Sequence, residues 1–310
     1  MNIHKKFFSK IGFSYLALAI MALVFQIIII NIVFYSGSDL ISDFNAVNIL
    51  SAFCNYVLPL PIFLYMMKRI GKQKMEKNNI GITKFIKYFA ITMTLMWAGN
   101  IIGQIITTFL GGIAQVEIQN PVQNLINSTD MWLNVVLISI IGPIFEEFIF
   151  RKILIDRTIK YGAYVSIITS AIIFGFFHGN LNQLFYAFLM GGFFAYVYIK
   201  TGNIIYTMLL HITANLMGSV VSLFLAQSAL ALASGGTNPV DWAIVGIYVI
   251  ILVVSFFIGL LSLYNYKKAK FNGVKTKIGL DKPLKTIVLN YGMIFFLAFC
   301  IIEIIYQITM

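Results

Sequence analysis

Residues 13–35 read FSYLALAIMALVFQIIIINIVFY, twenty-three positions without a charge, and they follow Lys5, Lys6 and Lys10. About 20 apolar residues suffice to cross the hydrocarbon core of a bilayer, so this stretch reads as a membrane span. It is too long for a signal-peptide core and no small-residue cleavage site follows it, so it reads as an uncleaved anchor. The pattern then recurs: apolar runs at 48–67, 88–110, 131–150, 161–178, 183–199, 203–226, 242–266 and 286–308 bring the candidate spans to nine, about three fifths of the 310 residues. The composition agrees, at 60% hydrophobic and 11% charged, where a soluble domain carries roughly 45–50% and 25%. Backbone groups in lipid must be satisfied within the span, and continuous runs of this length do so as helices. The expected fold is all-α, a polytopic membrane bundle of about nine transmembrane helices.

Charge sets the orientation. With the N-terminus cytoplasmic, the inner segments 1–12, 68–87, 151–160, 200–202 and 267–285 hold 3, 7, 4, 1 and 7 Lys or Arg, all 22 in the chain. The outer segments carry only Asp39, Asp43, Glu117, Asp130 and Asp241. Positive charge resists translocation, and an error in the span count would scramble this alternation. The net charge of +11 is therefore a topology signal with a secondary attraction to anionic lipid, and nucleic acid is not an expected partner. The C-terminus falls outside. The basic run 68–87 reads as a solvated, membrane-facing loop, and Pro59 with Pro61 should break or kink the second span. Cys54 and Cys300 lie inside apolar segments, so no disulfide framework is expected.

Ionisable groups within spans cost about 2.5–3.5 kcal/mol each on insertion scales and are functional candidates by default. Glu303 lies near the end of the last span and can reach outer water. Glu146 and Glu147 cannot, within Gly142-Pro143-Ile144-Phe145-Glu146-Glu147-Phe148-Ile149-Phe150-Arg151. The spacing of Glu147 and Arg151 suits an i,i+4 ion pair, and Glu146 points about 100° away. The chain has three histidines, and two lie in spans: His178, one turn after Phe174, and His211, one turn before Asn215.

The ordered set EExxxR (Glu146, Glu147, Arg151), FxxxH (Phe174, His178) and HxxxN (His211, Asn215) resembles the CPBP family, the group of CAAX prenyl endopeptidases and bacterial bacteriocin-processing or Abi proteins. The likeness covers roughly 131–226 and divides the chain into N-terminal helices over 1–130, a core over 131–226 and C-terminal helices over 227–310. Lys152 departs from a glycine common at that position, an effect expected on packing.

The resemblance implies peptide-bond hydrolysis within the membrane. Glu146 would be the base that takes a proton from water, work of roughly 10²–10⁴-fold. His178 would hold the same water and protonate the leaving amine. His211 and Asn215 would donate to the tetrahedral oxyanion, at about 2.7–4 kcal/mol per preorganised donor. Glu147 and Arg151 would fix the helix that presents Glu146. No cofactor is expected on this reading. The alternative is zinc on Glu146, His178 and His211, a two-histidine-one-carboxylate set, although no HExxH pair occurs and Asn215 suits an oxyanion donor better. A non-proteolytic scaffold or immunity protein of the same fold would have no need of the two histidines. A proton-relaying transporter should show paired halves, and none are found. The expected partners are the lipid bilayer and a peptide or membrane-protein substrate. Lys outnumbers Arg 19 to 3 with abundant Ile and Asn, which suggests a bacterial plasma membrane. Straight spans with the boundaries above would leave Glu146 near the inner end of one helix and His178 near the outer end of the next.

Overall fold

The computed structural model describes residues 1–266 and 277–309, and among these every regular element is helical. Part of the inner loop expected over 267–285 lies outside the described residues. In chain order the helices are α1 (Ile3–Tyr35), α2 (Phe44–Tyr56), α3 (Leu60–Lys68), α4 (Ile82–Ala114), α5 (Pro121–Ser128), α6 (Met131–Tyr161), α7 (Ala163–Phe177), α8 (Leu181–Thr201), α9 (Ile204–Ala233), α10 (Pro239–Tyr266), α11 (Pro283–Val288) and α12 (Tyr291–Thr309).

Eight helical stretches are long and apolar enough to cross a membrane. They correspond to eight of the nine expected spans, with α2 and α3 forming one span broken at Val57–Pro59. The ninth position, expected over 161–178, is α7, which has only 15 residues. At 1.5 Å per residue it rises about 22 Å, short of the ~30 Å hydrocarbon core. The preceding helix is longer than expected for a complementary reason. Hydropathy ends the span at Arg151, but Arg151 pairs with Glu147 and Lys152 with Asp156, so α6 continues as helix to Tyr161.

Helix α8 is the centre of the bundle, packed between α4 and α7, with α10 outside α4 and α1 paired with α12 on the opposite flank. Glycines allow the closest approaches. Gly99 and Gly103 of α4 meet the backbone of Tyr186 and Asn182 on α8, and Gly175 and Gly191 seat Phe188 and Phe174 between α7 and α8. Between membrane helices, where lipid is as apolar as a side chain, such contacts supply packing that the hydrophobic effect does not. The outward faces carry exposed apolar side chains such as Ile105, Phe257 and Ile302, as contact with lipid requires. On the side expected to be inner, the basic segment after α3 is tied down: Gln73 N–H donates to the Asp156 carbonyl and Asn78 N–H to the Thr201 carbonyl, both at 2.6 Å. Gly202, at φ +58°, lets the Glu76 carbonyl come against the end of α8.

A side chain at Gly99 has no room, whereas Gly112, one face away on the same helix, faces open space. Gly99→Val is expected to cost about 1–3 kcal/mol by overpacking, read as a lowered unfolding midpoint in mixed micelles. Gly112→Val should stay within about 0.5 kcal/mol.

Candidate active site

Glu146 and Glu147 lie at the middle of α6, between two π-helical stretches, Asn134–Ile141 and Phe148–Ile153. Such widened turns are rare and concentrate at functional sites. Here one cause is legible. In the first stretch the Gly142 N–H donates to the Leu137 carbonyl, and the next donor in that ladder would be Pro143, which has no N–H. The Ile138 carbonyl is thereby left for another partner, and the Asn215 side-chain amide donates to it at 2.9 Å. One proline thus anchors a motif residue of a distant helix.

The seven motif residues come together. Arg151 Nη2 lies 3.0 Å from Glu147 Oε1, with both side chains fully buried. The guanidinium stacks over the rings of Phe174 at 4.2 Å and Phe194 at 5.5 Å, and its Nη1 reaches Ser170 Oγ. The same Glu147 oxygen accepts from His211 Nδ1 at 2.9 Å. Glu146, directed elsewhere on the helix and part-exposed, has its Oε2 3.6 Å from His211 Nε2. Phe174 walls the group, edge-on to His178 (ring centroids 4.8 Å apart) and to His211 (5.8 Å).

The histidine hydrogen bonds assign the protons. His178 Nδ1 is 2.7 Å from the Phe174 carbonyl, and a carbonyl can only accept, so Nδ1 carries hydrogen. In a neutral imidazole that makes Nε2 the acceptor. His211 Nδ1 donates to Glu147 by the same logic, which turns its Nε2 toward Glu146.

The expected separation of Glu146 from His178 disappears with the revised helix ends. Glu146 is 15 residues before Tyr161 and His178 is 15 residues after Ala163, so each stands about 22 Å from the turn that joins α6 to α7. Both, with Phe174, His211 and Asn215, line a cavity of about 310 Å³. Its other walls are Asn48, Asn55 and Tyr56 of the second span and Val122, Leu125 and Thr129 around α5, on the side expected to be outer. Glu146 and His178 also line a second cavity of about 380 Å³, against α1 and α12.

One residue of the group escaped sequence reasoning. The Tyr56 hydroxyl donates to Glu146 Oε1 at 2.9 Å, and its ring stacks on Phe145. A tyrosine in an apolar run carries no signal of its own. The nearest clue is Pro59, since the break that follows Tyr56 leaves it at the end of α2. Among the described residues, no three His, Cys, Asp or Glu side chains are grouped closely enough to hold a metal ion as they stand.

Removing one partner of a buried ion pair leaves an uncompensated charge. Arg151→Met is expected to destabilise the protein by about 3–5 kcal/mol, and the double variant Glu147→Leu/Arg151→Met to recover much of that loss. Denaturant unfolding in mixed micelles measures both.

Comparison with known proteins agrees with the motif pattern. Residues 128–217 match the sequence model of the Rce1-like family, type II CAAX prenyl endopeptidase Rce1-like. A curated protein of Bacillus subtilis (strain 168) named "Putative membrane peptidase YdiL" is 27% identical over 177 residues, 52% of this chain and 66% of that protein. The matched region thus spans just under two thirds of that relative's length. No solved structure matches the chain. Both findings are likenesses, and the family likeness, to the Rce1-like CAAX prenyl endopeptidases, lies over residues 128–217, the segment that carries the motifs.

Proposed function

We propose that the protein is an intramembrane endopeptidase in which Glu146 and His178 activate a water molecule. The observation that carries this reading is that Glu146, His178, His211 and Asn215 share the wall of one cavity inside the helix bundle. A water between Glu146 and His178 Nε2 finds two hydrogen-bond acceptors, so both its hydrogens are held and a lone pair is free for a peptide carbonyl. As the oxygen attacks, its proton passes to the Glu146 carboxylate and the carbonyl becomes an oxyanion. The C–N bond then breaks as Glu146 returns that proton to the leaving nitrogen, directly or relayed through His178 Nε2, yielding a carboxylic acid and an amine.

His211 and Asn215 receive the oxyanion. Asn215 uses one N–H on Ile138 and keeps the second. His211, anchored through Nδ1 on Glu147, donates through Nε2 when that nitrogen is also protonated. In that state Arg151 and His211 balance Glu146 and Glu147, and the cluster is neutral. Tyr56 is a positioning residue that holds one oxygen of Glu146 and leaves the other for water.

The height of the site bears on the substrate. Glu146 and His178 stand about 22 Å above the inner turn of a ~30 Å core, and the cavity extends to Val122 and Leu125 near α5. With basic residues inside, this favours a peptide presented at the outer face of a bacterial plasma membrane over a prenylated tail held at the cytoplasmic face. No step passes through a metal.

Cleavage of a peptide library by the protein in detergent tests the reading. Glu146→Gln and His178→Ala should each lower kcat by roughly 10²–10⁴-fold, and Asn215→Ala by roughly 10²–10³-fold. Tyr56→Phe should lower kcat by about tenfold with KM little changed. A zinc chelator should leave all rates unchanged. Loss of activity on chelation with recovery on zinc would overturn the metal-free route, and undiminished cleavage by Glu146→Gln would overturn the assignment of the base.

A further inference from the structure

The second cavity has a distinct character. One side is apolar, with Leu18 and Ala22 of α1, Phe150 of α6 and Phe299 of α12, another carries Gln26, Asn55 and Tyr56, and the cavity shares Glu146 and His178 with the first. At its side stands Glu303 of α12, half-buried against the turn that follows His178, where Gly179 has no side chain to hold it off. Among the described residues no Lys or Arg lines this space, and all 22 in the sequence belong to segments expected on the inner side.

A carboxylate that merely snorkels to interfacial water needs no cavity. Glu303 instead adds a second carboxylate to a chamber already holding Glu146, and none of the described residues that line it is Lys or Arg. An apolar side with a carboxylate beside it complements a lysine or arginine side chain, which buries its methylene stem and keeps its charged head on an acid.

We propose that this cavity is the subsite for a basic side chain next to the scissile bond, and that Glu303 is the residue that selects it. The subsite rests on the endopeptidase reading, because Glu146 and His178 in its wall put any bound side chain beside the reacting carbonyl. It narrows the substrate class to peptides with Lys or Arg flanking the cleavage point.

The test compares two dye-labelled peptide libraries that differ only in carrying lysine or norleucine, its uncharged isostere, at scanned positions. Binding and cleavage are both measured on the full-length protein in micelles, for wild type, Glu303→Gln and Glu303→Lys. Wild type should prefer lysine over norleucine roughly tenfold. The ratio should fall to near one in Glu303→Gln and drop below one in Glu303→Lys, with the unfolding midpoints of all three showing that the fold is kept. Equal binding of the two libraries by wild type, or an undiminished lysine preference in Glu303→Gln, would overturn the subsite while leaving the endopeptidase reading intact. A Glu303-dependent lysine preference in binding without cleavage of either library would uphold the cation site and sink the endopeptidase reading.

Discussion

One carboxylate oxygen organises the centre of this molecule. Glu147 Oε1 faces Arg151 on its own helix and accepts a hydrogen bond from His211 on α9, with neither acid nor guanidinium exposed. Water cannot substitute for these partners, because none of the three side chains has more than a few per cent of its surface free. A buried charge without its counter-charge costs several kcal/mol, so the three side chains hold their helices in one register. Arg151 extends the effect by lying over Phe174 and Phe194, which ties α6 to α7 and α8.

The remaining geometry follows from that constraint. With Glu147 committed to the interior, its neighbour Glu146 turns to a cavity and is held from one side by Tyr56. Pro143 cannot donate in the helix ladder, so Asn215 bonds the Ile138 carbonyl and is drawn to the same cavity. The short helix α7 brings His178 to the height of Glu146, where a full-length span would have carried it past. Each feature is a local rule of backbone chemistry with a consequence for where a functional side chain stands.

Some of the site was legible from spacing alone. Glu147 and Arg151 are one turn apart and do pair, and Phe174 and His178 are one turn apart and do touch. Residues at such intervals share a helical face whatever the tertiary fold. Tyr56 was not legible, because its contact with Glu146 crosses 90 residues. Nor was the place of Glu303 beside a cavity, since a carboxylate near a span end has the same sequence signature whether it meets headgroup water or a cavity.

The amino-acid sequence by itself determined the all-α membrane fold, and it marked the charge pattern from which an orientation is expected and the seven motif residues that stand together in the structure. It did so because apolar length, charge sign and one-turn spacing are properties of single segments. The helix ends around residues 150–178, the common height of Glu146 and His178, and the two cavities that meet at them were decided only by the tertiary structure. Hydropathy ends a span at the first charges, whereas a helix continues wherever those charges find partners inside the bundle, as Arg151 and Lys152 do.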